Sequence, residues 1–106
     1  GGDRDSGKRS EMGRVAHELA DVTIVTNDNP RSESPQQIAD DICQGIKGEV
    51  SVVLDRQIAV KQAVETAVAG DTVLVAGKGH EVTQVLGDNV IPMDDRLLVS
   101  NAQGRR

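Results

Sequence analysis

Phenylalanine, tyrosine and tryptophan are absent from all 106 residues of this chain. An aromatic side chain buries roughly 150–250 Å², so the core has to be assembled from Val, Ile, Leu and Ala. The same absence removes stacking against a nucleotide base. Cysteine is almost missing as well. Cys43 stands alone, which excludes an internal disulfide and makes a cytoplasmic setting the expectation. There is no long apolar run and no basic leader ahead of an apolar stretch, so neither a membrane span nor a secretion signal is expected. A basic excess is lacking too. Lys and Arg number 12 against 17 Asp and Glu, a net charge of −5, which speaks against nucleic acid as the partner.

What remains alternates between helical and strand signals. Met12, Val15, Ala16 and Leu19 recur at helical spacing and predict a helix over residues 9–20 with one apolar stripe turned to the core. The β-branched run 22–26 predicts a strand. Ser34-Pro35 reads as a cap followed by a helix-starting proline, and Ile38, Ile42 and Ile46 carry that helix to Gly48. A strand over 50–54 follows, then a helix capped by Asp55, with Val60, Ala63, Val64, Ala67 and Val68 on one face and Gly70 as its stop. Residues 72–76, Thr-Val-Leu-Val-Ala, read as the best buried strand, covered on both faces. Gly87-Asp88-Asn89 predicts a hairpin turn. Met93-Asp94-Asp95 opens a last helix, with fraying expected from Gln103 to Arg106.

Strands separated by helices imply βαβ units and a parallel sheet in one α/β domain. A glycine-rich loop, Gly1 to Lys8, opens the chain. Such loops ordinarily follow a strand, so the domain is expected to lack its first strands.

Three loops carry groups suited to chemistry. Gly2, Gly7 and Lys8 fit G-x-x-x-x-G-K, but Arg9 stands where a magnesium-binding hydroxyl is required. Either the loop attracts an anion at a helix start, or it is a charged cap. Asp28-Asn29-Pro30-Arg31 follows a strand end, where ligands gather in open α/β sheets. Arg31 offers a planar fork for a carboxylate and Asp28 a partner for an ammonium; the alternative is a turn with solvated charges. Gly77-Lys78-Gly79-His80-Glu81 leaves the run 72–76, and its glycines permit close approach of a ligand or only a tight turn. His80 has no partners at metal-ligand spacing. His17 is expected on a solvated helix face, and Cys43 as a half-buried, inert thiol.

Together these segments resemble the C-terminal domain of the Mur ligases, of the diaminopimelate-adding (MurE) type. GGDRDSGKR is similar to that family's loop entering a helix, DNPRSESP to its DNPR-x-E-x-P segment, LVAGKGHE to its AGKGHE segment and PMDDR to its closing motif. Met93 departs from the aromatic usual in that motif. The resemblance implies a three-layer Rossmann-like fold, with a mostly parallel sheet and a C-terminal hairpin. It implies that Arg4, Asp28, Asn29, Pro30, Arg31, Gly77 and Glu81 hold meso-diaminopimelate, with Lys8 near the nucleotide. Diaminopimelate carries one carboxylate more than lysine. An unpaired charged hydrogen bond costs about 1.5–3 kcal/mol, roughly ten- to hundredfold in affinity.

The reaction implied is ATP-dependent amide formation in peptidoglycan precursor synthesis, in the bacterial cytoplasm. A carboxylate of UDP-MurNAc-L-Ala-D-Glu becomes an acyl phosphate, and the diaminopimelate amine displaces phosphate. ATP and magnesium are expected to be bound mainly by other domains, so this chain alone is expected to show no turnover. A fold-only fragment, natural or redesigned, is the alternative. An exposed sheet edge makes a homodimer a further expectation.

Overall fold

The chain was examined as a computed structural model, which describes residues 1–104. A short 3-10 turn, Ser6–Lys8, leads into α1, Arg9–Leu19; then follow β1, Ile24–Val25, α2, Pro35–Cys43, β2, Ser51–Val52, and α3, Arg56–Thr66. A hairpin of β3, Thr83–Leu86, and β4, Asn89–Pro92, precedes α4, Asp95–Gln103. β1 and β2 run parallel, pairing Ile24 with Ser51 and Val25 with Val52, and the hairpin is antiparallel. α1 packs on α2, α3 on α4, and both α2 and α3 touch β1. This is the three-layer α/β arrangement expected, with a short parallel ladder between two helical pairs.

Local signals explain where the helices start. Ser34, Asp55 and Asp94 each cap a helix, their side chains accepting from the backbone N–H of Gln37, Ile58 and Arg96. Such a cap satisfies one of the donors a first turn leaves open. The apolar centre lies where α3 meets α4. There Val60, Val64 and Ala102 are buried, with Val75, Leu98 and Val99 packed against them.

Tertiary context overrode the sequence pattern in several places. In α1 the buried residues are Arg9 and Gly13, while Met12 is 58% and Leu19 84% exposed. The predicted stripe therefore faces outward. The reason is backbone contact: a Cβ on Gly13 would lie 2.0 Å from the Ile42 carbonyl oxygen, and one on Gly45 1.7 Å from that of Ser10. α1 meets the end of α2 through Gly13, against Ile42, and the turn after α2 through Gly45. α2 ends at Cys43, short of Ile46 and Gly48, and α3 ends at Thr66, short of Val68.

Residues 72–76 form no ladder, and Leu74 is 86% exposed. A strand is held by backbone hydrogen bonds to neighbours along its edges, and among the described residues this run has no backbone ladder partner. Only Val75 reaches the α3–α4 core. Of the fraying expected at 103–106, Gln103 still closes α4, while residues 105–106 lie outside the described residues.

Candidate functional site

The loop after β1 has unusual backbone geometry. Asn29 and Arg31 have φ of 46° and 53°, a left-handed conformation that non-glycine residues adopt rarely and at a cost. Pro30 between them is fully buried. Several contacts hold this shape. The N–H of Gly2 donates to the Asn29 carbonyl at 2.7 Å, and Arg31 Nη1 donates to the carbonyls of Gly2 at 2.8 Å and Asn29 at 3.3 Å. A Cβ on Gly2 would fall 1.7 Å from the Pro30 oxygen, so only glycine fits this crossing. Along the other side the Arg31 N–H donates to Val85 and the Gly87 N–H donates to Arg31. The loop thus lies along the hairpin, bridging Arg31 to Leu86.

The third loop joins the second through charge. The Lys78 side chain is entirely buried, and its Nζ lies 3.2 Å from Asp28 Oδ1. Gly77, at φ 107°, sits so that a Cβ would be 3.1 Å from Asp28 Oδ2. Glycine suits both the angle and the approach. Asp28 is therefore gripped by a lysine of its own chain, a partner the sequence reading had not assigned. Beside Gly1, a Cβ would stand 3.0 Å from Arg31 Nη1 and 3.9 Å from Arg4 Cγ, so the Arg31 guanidinium and the stem of Arg4 flank the same glycine.

The glycine loop is anchored from below. Asp3 accepts from Ser32 Oγ at 2.6 Å, and its own N–H donates to Glu33 Oε1 at 2.8 Å. Buried Arg9 pairs with Glu33 and Asp41, both at 3.0 Å, and donates to the Gly1 carbonyl. Hydrogen bonds from the Ser32 hydroxyl and N–H hold the Asp3 carboxyl below its ordinary range. Those from Gln37 and then Arg9 do the same for Asp41. Arg9 thus turns inward as a structural cation, at the position where a nucleotide-binding loop needs a magnesium hydroxyl. Among the described residues no group of three or more His, Cys, Asp or Glu could hold a metal ion.

One further pair fixes the strand ends. Buried Arg56 grips Asp95 with two 2.7 Å bonds, a bidentate fork. The same guanidinium donates to the carbonyls of Asn27 at 2.8 Å and Ala76 at 3.1 Å. Asn27 ends the run from β1 and Ala76 ends the run 72–76, so both loops leave from the same end of the molecule. Hydrogen bonding to Asp95 raises the Arg56 pKa above its ordinary value. A signal for this pair was present: Arg56 opens a helix, where a cation opposes the dipole and needs a compensating anion.

Among the sequence-assigned residues, Asp28, Asn29, Pro30, Arg31 and Gly77 are drawn together, and the stem of Arg4 lies beside Gly1. Arg4, Lys8 and Glu81 are exposed. Asn29 is only 5% exposed, and its Oδ1 accepts from the Val85 N–H at 2.9 Å. Its side chain is therefore partly committed to the scaffold. His17, expected to be solvated, is half-buried beside Gly48, whereas His80 is exposed. Cys43 is half-buried as expected, and burial followed by Asp40 pushes its thiol pKa up. Sequence reasoning missed Lys78 as a partner of Asp28, the Arg56–Asp95 pair and Gln84.

Comparison with known proteins agrees with this layout. The family described as "Mur ligase, glutamate ligase domain" matches residues 1–79. The chain is 50% identical, over its whole length, to a "UDP-N-acetylmuramoyl-L-alanyl-D-glutamate--2,6-diaminopimelate ligase" of Thermosynechococcus vestitus. It is 53% identical over 98% of its length to the protein of the same name from Alkalilimnicola ehrlichii. It spans 22% and 21% of these relatives. A solved structure of a ligase of that name superposes over 99% of this chain, and 22% of its own, with a TM-score of 0.93 and 42% identity. The chain belongs to the Mur ligase family.

Proposed function

We propose that residues 1–106 make up the amino-acid-binding domain of an ATP-dependent ligase that adds meso-diaminopimelate to UDP-MurNAc-L-Ala-D-Glu in the bacterial cytoplasm. One observation carries the reading: three loops distant in sequence meet at one end of the fold with alternating charge. The Arg31 guanidinium and the stem of Arg4 flank Gly1, and Asp28 faces Gly77 and Lys78. The two hydrogen bonds of Arg31 to backbone carbonyls use Nη1, which leaves the rest of its fork to pair with a carboxylate. Because Lys78 already pairs with Asp28, we assign the substrate ammonium chiefly to exposed Glu81 and give Asp28 the smaller share.

In this reading the domain orients the nucleophile. The diaminopimelate amine attacks the acyl carbon of the D-glutamyl phosphate, the new C–N bond forms, and phosphate leaves with the electron pair of the broken C–O bond. Holding the amine in line contributes several kcal/mol of the barrier reduction, within the roughly 7–11 kcal/mol available to orientation. The glycine loop does not fit a magnesium–nucleotide site, since Arg9 is locked to Glu33 and Asp41. Exposed Lys8 is the residue we assign toward the nucleotide. Pairing of two copies through an exposed sheet edge is a separate proposal, tested by sedimentation.

Calorimetric titration of the ligase carrying this chain tests the assignment. Diaminopimelate is expected to bind at least about tenfold more tightly than lysine. Arg31→Ala is expected to erase that preference. Equal affinity of the unsubstituted ligase for the two amino acids would overturn the reading.

A further inference from the structure

We propose that Gln84 is a positioning residue for amino-acid recognition, acting through Asn29; this rests on the function proposed above. Gln84 lies on β3, outside every segment that carries the family resemblance, and is 2% exposed. Its Oε1 accepts from the Asn29 N–H at 3.1 Å, a buried bond spanning 55 residues. In return Asn29 Oδ1 accepts from the Val85 N–H at 2.9 Å. The Gln84 carboxamide thus holds the backbone of Asn29, and the Asn29 carboxamide holds the backbone of the next hairpin residue, Val85.

The clasp falls where the loop is strained. Asn29 and Arg31 both have positive φ, and such a conformation persists only where surrounding contacts over-determine it. Gln84 supplies the contact at the first of the two positions, and Val85 and Gly87 those at the second. Without an acceptor at position 84 the Asn29 N–H is buried and unpaired, which is costly enough to favour a relaxed loop. A relaxed loop moves the Arg31 fork and the Asp28 carboxylate away from their shared setting. The hairpin itself does not depend on Gln84's side chain, because β3 and β4 are held by backbone pairing from Thr83–Pro92 to Leu86–Asn89. Gln84 therefore acts on the loop and not on its own strand.

The test uses the ligase carrying this chain, with steady-state kinetics in diaminopimelate, lysine and ATP. Gln84→Met keeps the volume and removes the acceptor; Gln84→Glu keeps an acceptor oxygen. Gln84→Met is expected to raise KM for the amino acid about ten- to hundredfold, with KM for ATP and kcat at saturation within about twofold. Gln84→Glu is expected to restore most of the loss. Gln84→Ala, read the same way, replaces the Met variant should that one not fold. An unchanged amino-acid KM overturns the proposal. So does an equal loss in kcat and in KM for ATP, which would mark general destabilisation. Failure of the underlying function reads differently: the unsubstituted ligase would then prefer lysine, and the Gln84 effect would appear on whichever amino acid it uses.

Discussion

Two regions of this molecule invert the usual distribution of polar and apolar groups. At the loop end, Arg9, Asn29, Arg56, Lys78, Gln84 and Asp95 are all buried. On the open surface outside it, here called the flank, Leu19 and Val22 at the end of α1 and Val68 and Leu74 after α3 are 84, 79, 65 and 86% exposed. Buried charges are tolerated only when paired and hydrogen-bonded, and nearly every one here has its partner, with Arg9 Nε the exception in this set. The aliphatics on the flank have no such specific demand and simply lack a neighbour among the described residues. Buried polar pairing in this small α/β chain therefore concentrates at the site. Polar interlocking holds the site together, while the aliphatic core sits where α3 meets α4.

The largest test of that contrast removes the ion pair joining the strand ends. Arg56→Met leaves Asp95 buried without its cation and frees the carbonyls of Asn27 and Ala76. Breaking such a buried pair from one side costs about 3–5 kcal/mol, a large part of a small domain's stability. Urea unfolding is expected to show that loss. Arg56→Met combined with Asp95→Leu is expected to recover a good part of it, because the uncompensated charge is gone. A single-variant loss under about 1 kcal/mol would mean that the site does not depend on buried charge.

How much of this was readable in advance follows from the range of each interaction. Ser34, Asp55 and Asp94 were legible as caps because capping acts within three residues. The hairpin turn at Gly87-Asp88 was legible for the same reason. The meeting of the Asp28 and Gly77 loops followed from the rule that ligands gather at strand ends. By contrast, the Lys78–Asp28, Gln84–Asn29 and Arg56–Asp95 contacts span 50, 55 and 39 residues. No local period encodes them. The two clearest misreadings, the α1 stripe and the strand at 72–76, share one cause: apolar periodicity reports what a segment is able to bury, not whether a partner stands beside it.

A smaller effect separates the polar region from the flank by pH. Hydrogen bonds from Ser32 to Asp3, and from Gln37 and Arg9 to Asp41, depress both carboxyl pKa values in the fold. Their contribution is therefore complete above the unfolded value, near pH ~4, and is lost as pH falls through the lower folded values. NMR titration is expected to place both midpoints below that of a model peptide. Exchange of the Ser32 amide, which donates to Asp3, should accelerate over the same window. Asp3→Asn is expected to remove the acid dependence at Ser32 and leave that of Asp41. A midpoint for Asp3 at or above the peptide value would detach the glycine loop from this network.

The smallest expected effect is also the sharpest probe of the flank. Leu74 is 86% exposed in a run with no ladder partner among the described residues. Replacing an exposed aliphatic removes almost no buried area, so Leu74→Ser should change the stability of the isolated chain by less than about 0.5 kcal/mol. Val75→Ser, one position on, takes a side chain out of the α3–α4 core and should cost about 1–3 kcal/mol. The alternation of these two neighbours is what one covered face and one open face require, since successive side chains of an extended segment point opposite ways. If Leu74→Ser instead costs as much as Val75→Ser, the outer face of residues 72–76 is covered in solution. The run would then be the two-sided buried strand that its composition predicts.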